Sequence, residues 1–67
     1  MSWQVYTPRA TRKQAAFTEI LAERVGEDLD KVVRQITDGE CASIKECTRT
    51  QASEVIDYLM WRCKLGG

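Results

Sequence analysis

The sequence predicts an all-α fold, a compact three-helix bundle at residues 11–65 that follows an extended N-terminal arm at residues 1–10. Three apolar stripes recur at helical spacing, and helix start or stop signals bound each of them. A chain of 67 residues has room for one domain at most. Three short amphipathic helices that share one apolar centre are the economical way to bury these stripes.

The N-terminal arm carries residues typical of an extended segment. Trp3-Gln4-Val5-Tyr6-Thr7 is followed by Pro8. A proline disfavours the helical conformation of the residue before it, which here is Thr7. We therefore expect an extended arm that is too short to form a sheet alone.

The first predicted helix begins after Thr11. Gln14 stands three residues later, so the two side chains match a capping box. A single helical stripe follows, and Gly26 is placed to end the helix with a left-handed cap. The residues of this stripe are Phe17, Ile20, Leu21 and Val25.

The second predicted helix runs from about Asp28 to Thr37 and ends at Asp38-Gly39. Two acid–base pairs at a spacing of four residues, Glu27 with Lys31 and Asp30 with Arg34, are expected to support it from outside. Its β-branched residues weaken helix propensity, so burial has to hold it. Its apolar stripe consists of Leu29, Val32, Val33 and Ile36.

The third predicted helix begins after Thr48, again with a glutamine, Gln51, three residues later. The connection before it is expected to plug the core or to form a single turn, through Ala42, Ile44 and Cys47. Gly66-Gly67 closes the chain. The apolar stripe of this helix consists of Ala52, Val55, Ile56, Leu59 and Cys63.

Trp61 does not fit this stripe. At about 100° per residue it lies nearly opposite the stripe's centre, with Tyr58 on the flank between. Either the arm folds back and covers this second face with Trp3, Val5 or Tyr6, or the face is offered to a partner. Arm coverage is the favoured interpretation, since a small chain needs every apolar contact it can make.

The formal net charge is zero, which argues against a generic polyanion binder. The charges are unevenly distributed, however, because no acid occurs before Glu19 and acids outnumber bases from there to Glu40. A basic arm of this kind could be steered toward phosphate. The acidic run is expected to be a solvated helix face.

Residues 1–13 lack the apolar run of a signal peptide, and no segment approaches the roughly 20 apolar residues that cross a bilayer. We therefore expect a cytoplasmic protein without a membrane partner. Its three cysteines, Cys41, Cys47 and Cys63, should then be reduced.

The sequence offers no catalytic or metal-binding pattern. It has no histidine, and its three cysteines lack the close pairs that a structural zinc site uses. No glycine-rich phosphate loop occurs, and no acid pair is flanked by groups that would raise a pKa. We expect a protein that is not an enzyme and that carries no cofactor and no metal.

Nucleic acid is the ligand that the first residues favour. Two similar stretches, TRKQAA at residues 11–16 and TRTQAS at residues 48–53, each place an arginine next to a helix cap. Helix N-termini carry free N–H groups and a positive dipole end, and aromatic side chains interleaved with cations suit single strands. The candidate nucleic-acid-binding residues are Arg9, Arg12, Lys13, Arg49, Trp3 and Tyr6. The alternative is a pair of ordinary helix starts whose arginines serve solubility.

Two blocks of the sequence resemble a known family. Ala10-Thr11-Arg12-Lys13-Gln14 with Phe17 is similar to an A-T-x-[KR]-Q-x-x-[FY] opening. The stretch from Ser43 to Leu59 is similar to S-L-x-E-L-T-[KR]-x-Q-A-S-x-[LV]-I-[DN]-x-L, with Cys47 in place of the usual Leu and a different turn before it.

This family is a small helical module common in phage and bacterial proteins. It is often appended to the C-terminus of DNA-metabolism proteins, including single-strand annealing recombinases, and it also occurs alone in actinobacterial phages. The resemblance covers residues 10–59. It implies an accessory role beside DNA and no catalytic residues.

We therefore expect a non-catalytic accessory module in phage or bacterial recombination or replication, located in the host cytoplasm if phage-encoded. It would contact nucleic acid weakly and in a salt-sensitive manner. The alternative is a protein–protein adaptor or oligomerisation module, which could bind a host factor through the Tyr58/Trp61 face or the acidic second helix. Mimicry of DNA charge by that acidic face is a third possibility, disfavoured by the zero net charge. The sequence leaves the oligomeric state open.

Overall fold

The computed structural model describes residues 8–66, with side chains as far as Leu65. In this range the chain forms helix α1 at Arg12–Val25, helix α2 at Leu29–Ile36, a 3-10 turn at Ile44–Glu46 and helix α3 at Arg49–Gly66. The predicted all-α three-helix bundle is confirmed. The predicted arm falls mostly on residues 1–7, which lie outside the described residues.

Two capping boxes begin the long helices. The Thr11 N–H donates to Gln14 Oε1 and the Gln14 N–H donates to Thr11 Oγ1, each at 3.0 Å. The same exchange occurs between Thr48 and Gln51, at 2.9 and 3.1 Å. The shared letters of the two similar stretches are therefore explained by capping.

Backbone conformations with positive φ end the first two helices. Gly26 closes α1 at φ 73°, in the left-handed region that glycine adopts without strain. Asp28 caps α2 by accepting the Asp30 N–H at 3.1 Å. Asp38 and Gly39, at φ 58° and 84°, turn the chain away after α2.

The core lies where α1, α2, α3 and the 3-10 turn meet. The stripes of α2 and α3 pack inward as predicted. The connection forms a turn whose Ile44 and neighbouring Cys47 are buried, whereas Ala42 is exposed and Cys41 takes the inner position. The buried apolar side chains are Leu21, Ala22, Val32, Val33, Cys41, Ile44, Cys47, Ala52, Val55 and Leu59.

The predicted stripe of α1 is wrong in part. Phe17 and Ile20 are exposed, and Thr18 and Ala22 are buried instead. These smaller side chains take inner positions on α1, which packs mainly against α3. The Thr18 hydroxyl is satisfied because it donates to the Ala15 carbonyl at 2.8 Å. The packed face of α1 is thus rotated away from its largest apolar residues.

Helices α1 and α3 run parallel and side by side. Near their N-termini, Gln14 Nε2 donates to the Arg49 carbonyl at 3.4 Å. Just beyond the C-terminus of α1, Glu27 bonds to Arg62, which lies near the C-terminal end of α3. The start of α1 thus contacts the start of α3, and the end of α1 contacts the end of α3, so the two helices point in the same direction.

Within residues 8–66, no helix combines the length and the apolar character that a membrane span requires.

Candidate functional site

The segments that lead into α1 and α3 lie against each other. The Ala10 N–H donates to the Cys47 carbonyl at 2.9 Å, and the Arg49 N–H donates to the Pro8 carbonyl at 3.1 Å. Between these bonds Arg9 and Thr48 form an isolated antiparallel bridge. Since the bridge sits directly before both helices, it holds their N-termini level at one end of the bundle.

Gln14 strengthens this arrangement because its two amide atoms act on different helices. Its Oε1 accepts the Thr11 N–H and caps α1, while its Nε2 reaches the Arg49 carbonyl on α3. The Gln14 side chain therefore caps α1 and also binds the first residue of α3.

Four cations surround these two N-termini, and we call them the basic end. All four side chains are exposed to solvent. Because α1 and α3 are parallel, their positive dipole ends, each worth about half a charge, lie at the same end as the cations. The residues of the basic end are Arg9, Arg12, Lys13 and Arg49.

One acidic group borders the basic end. Gln51 Nε2 donates to Glu40 Oε1 at 2.9 Å, which fixes a carboxylate beside the first turn of α3. The positive surface is thus limited on the side that faces the α2–α3 connection. Trp3 and Tyr6, the aromatic side chains predicted to stack on bases, lie outside the described residues.

Tyr58 has a structural partner at the opposite end of α1. Its hydroxyl donates to Glu27 Oε2 at 3.1 Å, and Arg62 Nε donates to the same oxygen at 2.7 Å. Partial burial, followed by this hydrogen bond to the carboxylate, raises the pKa of Tyr58 above its ordinary value. The predicted Glu27–Lys31 pair is wrong, because among the described residues Glu27 pairs with Arg62 of α3.

Trp61 is 55% exposed, and its ring centre lies 6.2 Å from that of Tyr58. Of the two predicted partner-binding residues, Trp61 is therefore exposed, while Tyr58 is half-buried. The residues predicted to cover this face from the arm, Trp3, Val5 and Tyr6, lie outside the described residues.

Beside Trp61 a groove of about 660 Å³ runs between α1 and α3, and we call it the α1–α3 groove. Its walls are mainly apolar and carry three charges, Arg24, Asp57 and Lys64. The apolar residues that line it are Phe17, Leu21, Met60, Trp61 and Cys63.

Sequence reasoning missed this groove because it assigned Phe17 to the core and did not consider Met60. A signal was present in α1, where Thr18 and Ala22 form a second, smaller-residue stripe next to Phe17 and Leu21. Two stripes on one helix indicate either a wide buried face or one buried and one exposed face.

The cysteines are free thiols in the described chain, with Cys41 and Cys47 buried and Cys63 half-buried. Cys41 Sγ donates to Gln51 Oε1 at 3.3 Å, and Cys47 Sγ donates to the Ser43 carbonyl at 3.6 Å. Burial, followed by the contact with Cys41, raises the pKa of Cys47 from 9.0 to about 12. In residues 8–66 no group of three potential ligand side chains lies close enough together to hold a metal ion.

No protein family, no curated protein and no solved structure matches this chain.

Proposed function

We propose that this chain is a non-catalytic accessory module that contacts nucleic acid weakly through the basic end, in phage or bacterial recombination or replication. The observation that carries the proposal is the bridge between Arg9 and Thr48, which places two parallel helix N-termini and four exposed cations together. Separate helix starts would offer isolated arginines, whereas this arrangement offers one positively charged surface.

The chemistry of the basic end suits phosphate oxygens. Guanidinium groups donate paired hydrogen bonds to phosphate, and helix N-termini add dipole ends of the same sign. Four cations support only a modest affinity, which should fall steeply as salt is added. A phosphate backbone with little base specificity is therefore the proposed ligand.

Fluorescence anisotropy with labelled single- and double-stranded oligonucleotides across a salt series tests this proposal. Replacing Arg12 and Arg49 by Gln should lower the slope of log K against log salt by about 1.4 for single strands and 1.8 for duplexes. The variant should remain folded, because a positive charge at a helix N-terminus is unfavourable to the helix dipole.

A matched control removes two cations elsewhere. Lys31→Gln together with Arg34→Gln changes the net charge equally on α2, where both side chains are exposed. If both variants lose the same amount of affinity, binding depends only on net charge and the basic end is not the binding site. If the parent chain does not bind oligonucleotides at low salt, the proposed function is wrong.

A second function, a protein–protein adaptor or oligomerisation module, is supported by the exposed Trp61 and the α1–α3 groove. Binding of this kind should survive moderate salt, and Trp61→Ala should abolish it without loss of helicity. A pull-down from host lysate with and without nuclease separates the two functions. Nuclease-sensitive capture supports nucleic acid, and nuclease-resistant, Trp61-dependent capture supports a protein partner.

A further inference from the structure

The C-terminal half of α3 carries three of the five exposed large apolar side chains in residues 8–65. They are Met60, Trp61 and Leu65, which are 49%, 55% and 64% exposed. With about 200 Å² for each side chain, they leave on the order of 300 Å² of apolar surface, within the range of the largest patch on a typical monomer. A patch of this size can form the centre of a weak protein interface.

Two opposite charges flank this patch at equal distances. Asp57 precedes Met60 by three residues, and Lys64 follows Trp61 by three residues. All four side chains are exposed, and at 100° per residue they share one face of the helix, which we call the outer α3 face. This face therefore has an acid at one end, a base at the other and its centre between Met60 and Trp61.

The outer α3 face is complementary to a reversed copy of itself. When α3 of one copy packs antiparallel on α3 of a second, about a two-fold axis between Met60 and Trp61, Asp57 of each copy lies opposite the partner's Lys64. Met60 and Trp61 of both copies then surround the axis. A two-fold axis makes each contact twice and uses the same surface of both copies. Two ion pairs thus flank one apolar centre.

Helix α1 ends at the level of this axis. Glu27, just beyond the C-terminus of α1, bonds to Tyr58 and Arg62, whose positions on α3 bracket the axis. The same two-fold axis pairs α1 with α1, but each α1 extends away from this level, so the two meet only near their last turns. Arg24 lies in that turn and would face the same charge of the partner, so the attraction has to come from α3.

The antiparallel arrangement also keeps the two basic ends apart. Since α1 and α3 point in the same direction within one chain, reversing the second copy places its basic end at the opposite end of the dimer. The two basic ends lie about 35 Å apart, because about eleven residues of α3 separate each from the axis at 1.5 Å per residue. A parallel pair would bring the cations and the positive dipole ends of both copies together, where they repel.

We propose that the outer α3 face is the interface of a two-fold symmetric homodimer, in which α3 of one copy packs antiparallel on α3 of the other. The contact is smaller than the roughly 800 Å² per partner of a standard interface, so the dimer is weak and forms at high micromolar concentrations. This inference rests on the second proposed function, since it names a second copy of the chain as the partner. It is independent of the basic end.

Sedimentation equilibrium of the full chain, from low micromolar to about 1 mM, tests the homodimer, whose mass is twice the 7.7 kDa of one chain. Lys64→Glu and Asp57→Lys each place like charges opposite each other twice and should weaken the dimer at least tenfold. An equimolar mixture of the two variants should associate again, because both pairs of a mixed dimer have opposite charges. In a parallel pair like charges already face each other in the parent chain, so neither variant would weaken it.

Two control variants test the register. Lys31→Glu makes the same charge change as Lys64→Glu at an exposed position of α2, and Arg24→Gln removes a charge from the α1 wall of the groove. Neither should weaken the dimer, and circular dichroism checks that each variant keeps its helices. Equal weakening by Lys31→Glu and Lys64→Glu, weakening by Arg24→Gln, or no recovery in the mixture overturns the register.

A parent chain that stays monomeric up to about 1 mM overturns the homodimer, and a dimer that Trp61→Ala leaves unchanged overturns the interface. Nuclease-resistant, Trp61-dependent capture of a different protein by a monomer leaves the adaptor function standing. A monomer without such capture overturns the adaptor function as well. Shielding of Trp61 from a soluble quencher in a monomeric Trp3→Phe variant assigns the face to residues 1–7 of the same chain and also overturns both.

Discussion

Glu27 joins the end of α1 to α3 through one carboxylate oxygen that accepts from both Tyr58 and Arg62. We predict that Glu27→Gln lowers the free energy of unfolding, because the charge that both donors face is removed. We also predict that about half of this loss disappears when Arg62 has already been replaced, since Glu27 and Arg62 act as a pair and the Tyr58 contact remains.

The magnitude follows from the exposure of the two side chains, 24% for Glu27 and 42% for Arg62. Exposed ion pairs contribute about 0.2–1 kcal/mol, and a buried hydrogen bond to a charged group contributes about 1.5–3 kcal/mol. With the discount for solvent, the Tyr58 and Arg62 contacts together should contribute about 1–2 kcal/mol. For a domain of this size, that corresponds to a decrease in Tm of roughly 5–12 °C.

The free energies of unfolding of Glu27→Gln, Arg62→Gln and the double variant are measured by urea unfolding, which is monitored by circular dichroism. The double-mutant cycle should give a coupling of about 0.5–1 kcal/mol between the two residues. A second cycle pairs Glu27→Gln with Lys31→Gln, the partner that helical spacing alone predicts, and should give a coupling near zero. A larger coupling with Lys31 than with Arg62 would refute the reasoning, because it would show that the Glu27 carboxylate pairs with Lys31 of α2 instead of with α3.

Three other predictions concern local features. Burial raises the pKa of Cys47 to about 12, so the folded state disfavours the thiolate. The contribution of the Cys47 thiol to the free energy of unfolding should therefore be fully present below about pH 9 and be lost as the pH rises toward 12. Urea unfolding at several pH values measures this decline, which should be smaller in Cys47→Ala. Thr48→Ala removes the cap of α3 and should cost about 1 kcal/mol in thermal unfolding, whereas Thr50→Ala should be near neutral. Gly26→Ala should cost about 1–2 kcal/mol through its positive φ alone, because no atom lies within 4 Å of an added Cβ; Gly26→Asn should cost less.

Each of these predictions has a contrary result. If the free energy of unfolding declines equally at high pH in Cys47→Ala and in the parent chain, other groups cause the decline. Cys63→Ala, which removes a half-buried thiol, is the control for the loss of a thiol. Equal effects of the two threonine substitutions would argue against the capping box. A Gly26→Ala variant as stable as the parent chain would show that α1 does not end in the left-handed cap.

The ends of the helices were predictable because the interactions that set them are local. The Thr11–Gln14 and Thr48–Gln51 boxes and the Gly26 cap each involve residues within a few positions of one another, and all three are present. The stripes of α2 and α3 were predictable for a related reason. α2 has a single apolar face. On α3 the stripe from Ala52 to Cys63 runs along most of the helix, whereas the exposed set of Met60, Trp61 and Leu65 is confined to its C-terminal half.

The α1 face was not predictable because this helix offers two candidate faces. Phe17 and Ile20 are the larger apolar residues, yet Thr18 and Ala22 pack inward. The choice depends on how closely α3 approaches, which local spacing does not encode. The same holds for Glu27, which directly precedes the cap of α2 and whose spacing to Lys31 suits a local ion pair, but whose carboxylate bonds to Arg62 of α3.

The sequence alone thus determined three amphipathic helices, their caps and the four cations near two helix starts, since all of these follow from neighbours along the chain. Only the tertiary structure decided that α1 and α3 run parallel with level N-termini. The Arg9–Thr48 bridge and the Gln14–Arg49 bond join residues more than thirty positions apart. The packing of α1 on α3 likewise gathers the cations at one end and leaves the groove beside Trp61 open.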